Sequence, residues 1–433
     1  MSPPLHQPDS RYAVFRLVIA LLIMTVGSSS MYIVSVVLPA VQAEFGVPRA
    51  QASLPYTFLM LGFGLGGIAM GRMADRFGVM RPLLVGAVSL GIGFAASGLA
   101  TGIVSFTVVQ ALLVGAMGSA TTLGPLIADT TMWFVRRRGI AVAVCASGNY
   151  LSGAIWPPIV QTLVEHHGWR QTYFELGIFC GLTMFALALC MRARPPALAI
   201  PPVAPTQANE NAPRSAAPVP KVSHASHLAS ARPFGLSTGT AQGLLCVAGI
   251  ACCVAMAMPQ VHIVAYCGDL GYGVASGAKM LSLMLGFGIV SRLVSGVICD
   301  RIGGLQTLLL GSVLQCVALL LFLPFDGLAS LYVISALFGL FQGGIVPAYA
   351  IVVREYFPAS EAGSRVGTVL MATLLGMALG GWMSGKVFDL TGSYHAAFLN
   401  GIGWNLLNMT IVVTLLVRAR RGMRALTTSR AGA

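Results

Sequence analysis

The feature that most restricts what this chain can fold into is a series of long apolar runs separated by short polar breaks. A bilayer-crossing helix needs about 20 mostly apolar residues. Twelve windows meet that requirement: 14–39, 53–70, 82–100, 103–128, 139–162, 172–191, 239–265, 275–298, 305–323, 328–352, 363–386 and 394–417. Only 9% of the residues are charged, whereas an ordinary soluble domain carries about 25%. So few charges cannot cover a water-exposed surface. The expectation is therefore an all-α integral membrane protein with twelve transmembrane helices.

The breaks have their own logic. The third and fourth spans, and the ninth and tenth, are joined by turns containing Thr101-Gly102 and Asp326-Gly327, so each pair is expected to be antiparallel. The long break at 193–237 carries eight prolines between Pro195 and Pro220, with Ser, Ala, Asn and His among them and no helical period. It reads as a disordered or semi-extended linker, with His224 and His227 solvated rather than metal-binding. The chain then divides into an N-terminal six-helix bundle at 1–192, the linker, and a C-terminal six-helix bundle with a basic tail at 238–433.

The formal net charge of +13 would suggest nucleic acid in a soluble protein. Here the basic residues are sorted by side instead. With a cytoplasmic N-terminus, 21 of the 26 Lys and Arg residues fall in cytoplasmic loops, the linker or the tail. Only Arg49, Arg170, Lys279 and Lys386 fall outside, and Arg292 lies within a span. The positive-inside rule then predicts both termini in the cytoplasm of a bacterial-type inner membrane and no nucleic-acid partner. Nine cysteines lie mostly within apolar runs, and the adjacent Cys252 and Cys253 fit neither zinc nor redox spacing. No phosphate-binding loop, nucleophile constellation or metal cluster appears, so neither an enzyme nor a nucleotide-driven pump is expected, and no cofactor or metal.

The two sets of six runs repeat one another. Gly71-Arg72-Met73-Ala74-Asp75-Arg76-Phe77-Gly78 follows the second run, and Gly296-Val297-Ile298-Cys299-Asp300-Arg301-Ile302-Gly303 follows the eighth, at an offset of 225. Gly168 and Phe174 pair with Gly392 and Phe398 at an offset of 224. A looser echo joins Trp133-Phe134 through Arg138 to Tyr356-Phe357 through Arg365. Matches at nearly one offset argue for a duplicated six-helix unit.

The G-x-x-x-D-R-x-G pattern between the second and third spans resembles the loop motif of the major facilitator superfamily. That resemblance covers residues 14–417 apart from the linker. It implies two six-helix bundles around a substrate path exposed alternately to each side. It also implies gating roles for Gly71, Asp75, Arg76 and Gly78, for the second copy Gly296, Asp300, Arg301 and Gly303, and for Asp129 at the end of the fourth span. By the same likeness Asp75 should meet the start of the eleventh helix near Glu361–Arg365, and Asp129 should pair with Arg76 or Arg72.

Trp133-Phe134-Val135-Arg136-Arg137-Arg138-Gly139-Ile140-Ala141, with Ser147-Gly148-Asn149-Tyr150 after it, resembles monocarboxylate porters and their bacterial relatives. Ser291-Arg292-Leu293-Val294-Ser295-Gly296 is similar to the arginine-bearing eighth helix of those porters and of oxalate:formate antiporters. This chain departs from them at three places: Gly288 stands where an Asp precedes the arginine in animal porters, the first span carries no acid or lysine, and the eleventh has no central charge.

Ionisable groups at membrane depth are costly and usually functional. Arg292 lies eight residues before Asp300, about 12 Å into the bilayer at 1.5 Å per residue. It is either an anion ligand or a structural arginine tied to helix carbonyls. Tyr32, Asn149, Tyr150 and Gln342 are candidates to line the same path, and His262 to carry protons or serve an outer gate. Trp156, Tyr266, Tyr349, Asn405 and Asn408 are either cavity groups or interhelical glue. Gly62, Gly64, Gly66, Gly67 and Gly71 on the second span, and Gly339, Gly343 and Gly344 on the tenth, read as packing faces. The expected function is secondary active or facilitative transport of a small organic anion, a monocarboxylate, by a functional monomer in the lipid bilayer, coupled to protons or a counter-anion. The alternative is a proton-coupled multidrug or metabolite efflux antiporter, against which stands the lack of a Gly-Pro-x-x-x-Gly-Gly pattern in the fifth span.

Overall fold

The structure, a computed structural model, describes residues 8–193, 233–358 and 361–431, with side chains described as far as Arg421. Most of the expected linker, including His224 and His227, lies outside the described residues. At its far margin Pro233–Gly235 forms one 3₁₀ turn, and the Ser237 hydroxyl caps the next helix by accepting from the Thr240 N–H.

No strand occurs among the described residues. Eleven helical stretches are long and apolar enough to cross a membrane. One of them, Arg138–Cys190, has 53 residues. It would be about 80 Å long if straight, against a hydrocarbon core of about 30 Å. It is broken at Gly168, whose φ of 77° and ψ of 159° are not helical and suit glycine because it lacks a Cβ. The stretch is therefore two spans, and the predicted loop between them reduces to that glycine. The twelve helices are α1 (Arg11–Phe45), α2 (Arg49–Phe77), α3 (Met80–Gly98), α4 (Ile103–Trp133), α5 (138–167), α6 (169–190), α7 (Thr238–Asp269), α8 (Val274–Ile302), α9 (Gly304–Leu321), α10 (Leu328–Tyr356), α11 (Ala362–Thr391) and α12 (Tyr394–Arg421).

The sequence repeat recurs in the backbone. Left-handed glycines fall at Gly46 and Gly271, at Gly78 and Gly303, and at Gly168 and Gly392, so equivalent helices stop at equivalent places in both halves. Two helices are central: α1 is buried on every face from Ile23 to Leu38, and α7 from Ala251 to Cys267. A helix that is apolar all round belongs in such a position.

Close packing uses the small residues, on more than one face. Gly62 and Gly66 meet α4, where a Cβ would lie 2.1 Å from the carbonyl oxygens of Ala111 and Ala116. Here α4 widens into a π-helical segment at Gln110–Gly118. Gly64 instead faces Met371 of α11, while Gly67 and Gly71 meet nothing within 4 Å. The single glycine face expected on the second span is thus split between two neighbours and open space. On α10, Gly339, Gly343 and Gly344 all pack against α8, at Met284, Gly288 and Ser295.

The two halves touch through α1 with α7, α2 with α11 and α5 with α8. These contacts are concentrated towards the end that holds the α1–α2 turn. There the Thr57 hydroxyl donates to the Ala378 carbonyl at 3.0 Å, and the Ser282 hydroxyl donates to the Ala154 carbonyl. Towards the opposite end the packing stops. A Cβ at Gly71, Gly139, Gly296, Gly363 or Gly367 would meet nothing within 4 Å, and among the described residues the hydrogen bond between the halves nearest that end is the one from Arg292 to the Ala146 carbonyl. The halves are closed at one end and parted at the end that carries the repeated loop motif.

Candidate functional site

A cavity of about 150 Å³ lies between the halves. Tyr32 of α1, Tyr56, Met60 and Phe63 of α2, Leu123 of α4, and Asn149 and Tyr150 of α5 form one wall. Met256 and Gln260 of α7, Leu285 and Arg292 of α8, Val346 of α10 and Met377 of α11 form the other. Among the described residues, Arg292 is the only charged one in this lining.

The arginine is held by groups that leave its charge unneutralised. Its Nη1 donates to the Ala146 carbonyl at 3.0 Å, and its guanidinium carbon lies 4.5 Å from the centre of the Tyr150 ring. Its Nε is buried with no hydrogen-bond partner among the described residues, and no carboxylate pairs with it there. The position of Tyr150 depends on Gly288, one turn before Arg292: a Cβ at Gly288 would lie 2.4 Å from the tyrosine ring. The residue type that departs from animal porters at this position therefore makes room for an aromatic ring beside the guanidinium. Tyr32 donates from its hydroxyl to Asn149 Oδ1 at 2.8 Å.

Tyr32, Asn149, Tyr150 and Arg292 thus come together in one cavity. Gln342 does not line it. Gln342 lies behind Gln260, accepting from Gln260 Nε2 at 3.0 Å, so Gln260 is the glutamine that faces the cavity. Spacing along α10 and α7 does not show which side of either helix faces inward, and this is why Gln342 was singled out and Gln260 was not. Tyr56, Met60 and Met377 were missed too, because nothing local separates a cavity methionine from a core methionine. Asn405, Asn408 and Tyr349 are glue: Asn408 donates to the Ser312 hydroxyl at 2.7 Å and accepts from Tyr349 at 2.8 Å, and Asn405 donates to the Ser312 carbonyl at 2.8 Å. Trp156 donates to the Thr25 carbonyl at 3.0 Å.

His262 lies outside the cavity, at the closed end. Its Nε2 is 2.8 Å from the Gly381 carbonyl oxygen and its Nδ1 is 3.2 Å from the Tyr394 hydroxyl. The Tyr394 hydroxyl also accepts from Arg49 Nη1 at 2.6 Å, and Arg49 Nη2 donates to Asp269 at 3.2 Å. One polar cluster therefore ties the start of α2 to the ends of α7 and α11 and the start of α12.

The loop motif lies at the parted end. Gly71, Asp75, Arg76 and Gly78 end α2, and Gly296, Asp300, Arg301 and Gly303 end α8. Asp75, Arg76, Asp300 and Arg301 are exposed. The expected contact of Asp75 with Arg365 is not made. Arg365 instead binds Glu361 at 2.5 Å and Gln242 at 3.3 Å, because the start of α11 stands away from α2 here. Asp129 also has a different partner from the one expected. It accepts both carboxylate contacts from Arg16 Nη2, at 2.9 and 2.8 Å, and not from Arg72 or Arg76. Arg16 is oriented for this by the Trp133 ring at 4.6 Å and by the Ala193 carbonyl at 2.9 Å. An arginine just inside the first apolar run was the available signal, but it reads as a flanking charge.

Twelve apolar helices with a duplicated loop motif and a cavity between halves define a membrane carrier. The chain belongs to the Major Facilitator Superfamily, whose family profile matches residues 19–330 and 296–432. It is 26% identical over 375 residues to monocarboxylate transporter 13 of Bos taurus, covering 86% of this chain and 82% of that protein. It is 25% identical over 393 residues to monocarboxylate transporter 4 of Mus musculus, covering 88% and 78%. To the MFS-type transporter YcxA of Bacillus subtilis (strain 168) it is 24% identical, covering 81% and 82%. These relatives place it with the monocarboxylate-porter branch. Among solved structures, the nucleoside transporter NupG shares the fold at a TM-score of 0.67 and 14% identity, covering 96% of this chain and 99% of that one. An inward-facing bacterial homologue of the human lysosomal transporter Spinster does so at 0.66 and 15%, covering 97% and 98%.

Proposed function

We propose that this chain is a secondary active or facilitative carrier of a small organic anion, a monocarboxylate, working by alternating access. The observation that carries the reading is Arg292: a guanidinium in a cavity between the halves, with no carboxylate beside it among the described residues. A charge at membrane depth needs a partner or a water-filled cavity, and the planar guanidinium fork matches a carboxylate. One cation suits one carboxylate. Among the described residues the cavity lining contains no Asp, Glu or His, which favours anion binding over a proton-antiport efflux site.

The exposed basic loops flank the parted end, so by the positive-inside rule this conformation is open to the cytoplasm and closed outside. The anion enters from the parted end and neutralises Arg292. The α2–α3 loop then approaches α11 while the cluster around Arg49 parts, and the cavity opens on the other side. The chain acts as a monomer in the bilayer, and the anion moves with a proton or against a counter-anion.

The test is uptake and counterflow of labelled monocarboxylates in proteoliposomes, with and without a pH gradient, for the wild-type chain and Arg292→Ala. Carboxylate-dependent flux that disappears in the folded alanine variant supports the reading. Normal binding and transport by that variant would make Arg292 a structural residue and end it.

A further inference from the structure

The cavity carries information about the part of the substrate that Arg292 does not touch. α8 runs from the closed end to the parted end, and Arg292 lies seven residues beyond Leu285, about 10 Å nearer the mouth. Between Arg292 and the closed end the walls are mostly sulfur, aromatic and aliphatic carbon, with Met31, Met60, Met256 and Met377 beside Tyr56 and Phe63, and with Ser35 and Gln260 as polar groups. Methionine is flexible and polarisable, and its sulfur makes favourable contacts with ring edges.

Several polar groups in the wall are already bonded to the protein. The Tyr32 hydroxyl is spent on Asn149, Gln260 Nε2 on Gln342, and the Thr373 hydroxyl on the Leu370 carbonyl. Arg292 Nε is a buried donor of this lining without a partner among the described residues, and the other polar groups of the lining, the Tyr56 and Tyr150 hydroxyls included, are neutral. A second charged group on the substrate would meet no oppositely charged side chain among the described residues of the lining, which is costly. A volume of about 150 Å³ is enough for one benzene-sized body in an apolar cavity.

The geometry points to a monocarboxylate with one compact apolar body, such as a single aromatic ring or a branched hydrocarbon, seated with its carboxylate at Arg292 and its body towards the closed end. This rests on the reading of Arg292 as the carboxylate ligand and narrows it: short hydrophilic acids and diacids are poor fits.

The experiment is binding to the purified full-length chain, by calorimetry or thermal stabilisation, with benzoate, acetate, succinate and benzyl alcohol as probes. Benzoate is expected to bind about tenfold or more tightly than acetate, in line with the discrimination an apolar pocket achieves for added carbon. Succinate and benzyl alcohol are expected to bind more weakly than benzoate. Met60→Gln should lower the preference for benzoate over acetate, and an unaltered ligand-free melting temperature shows that the variant is folded. If acetate or succinate binds as well as benzoate, the apolar subsite is refuted while the carboxylate reading stands. If benzyl alcohol matches benzoate, or no carboxylate binds the folded protein, the Arg292 reading falls and this inference with it.

Discussion

Asp389 near the end of α11 accepts the first two backbone N–H groups of α2, from Arg49 and Ala50, each at 2.8 Å. A carboxylate from one half thus caps a helix of the other, and the Arg49 side chain reaches on to Asp269, 3.2 Å away. The closed end is held by groups that must separate when the cavity opens there. An acid at a helix N-terminus contributes about 0.3–1 kcal/mol, and up to about 2 kcal/mol where the terminus is partly buried, as Arg49 and Ala50 are here. Asp389→Asn is therefore expected to raise the population open at this end a few-fold. Spin labels at the exposed positions Gln51 and Lys386 should show a larger long-distance fraction in the variant. An unchanged distance distribution would mean that Asp389 does not hold this end.

Asp75 is exposed and makes no ion pair or hydrogen bond among the described residues in this conformation, although the family likeness assigns it to the opposite gate. Its contribution then belongs to the other state. Asp75→Asn should leave membrane insertion and the melting temperature of this form nearly unchanged, while transport falls. Wild-type transport kinetics in the variant would remove Asp75 from the gate.

Arg16 and Asp129 are both buried and share a two-oxygen contact. Removing one partner strands the other charge, which costs about 3–5 kcal/mol for a buried pair. Asp129→Leu should markedly lower the melting temperature in detergent, and Arg16→Met combined with it should restore much of the loss. A double variant no more stable than the single one would show that the two charges are not coupled.

Arg292→Lys keeps a positive charge but loses the planar two-point geometry and the stack on Tyr150. It should weaken carboxylate transport, with the larger part of the loss in KM, and leave expression intact. A lysine variant with unaltered KM would show that the charge alone suffices.

The exposed Arg136–Arg138 stretch tests the orientation. A cysteine at Arg137, in a chain whose exposed Cys190 has been replaced, should react with an impermeant maleimide only from the cytoplasmic side. Reaction from the outside of intact cells would reverse the assignment of the two faces.

The sequence alone determined the span count, the repeat and the family. Hydropathy and glycine spacing are local properties of a chain in a bilayer, and each span must satisfy its own backbone hydrogen bonds wherever it is placed. It also brought Tyr32, Asn149, Tyr150 and Arg292 forward, since polar groups stand out in apolar runs. It did not settle which side of a helix faces the cavity, because α7 is buried all round and its pattern has no outward face. The choice of Gln260 over Gln342 depended on helix rotation, the pairing of Asp129 with Arg16 on how α1 packs against α4, and the freedom of Asp75 on which end of the halves is closed. Each of these is a contact between residues more than 80 positions apart or a rearrangement of whole helices, and packing between helices, not the order of residues along any one of them, fixes it.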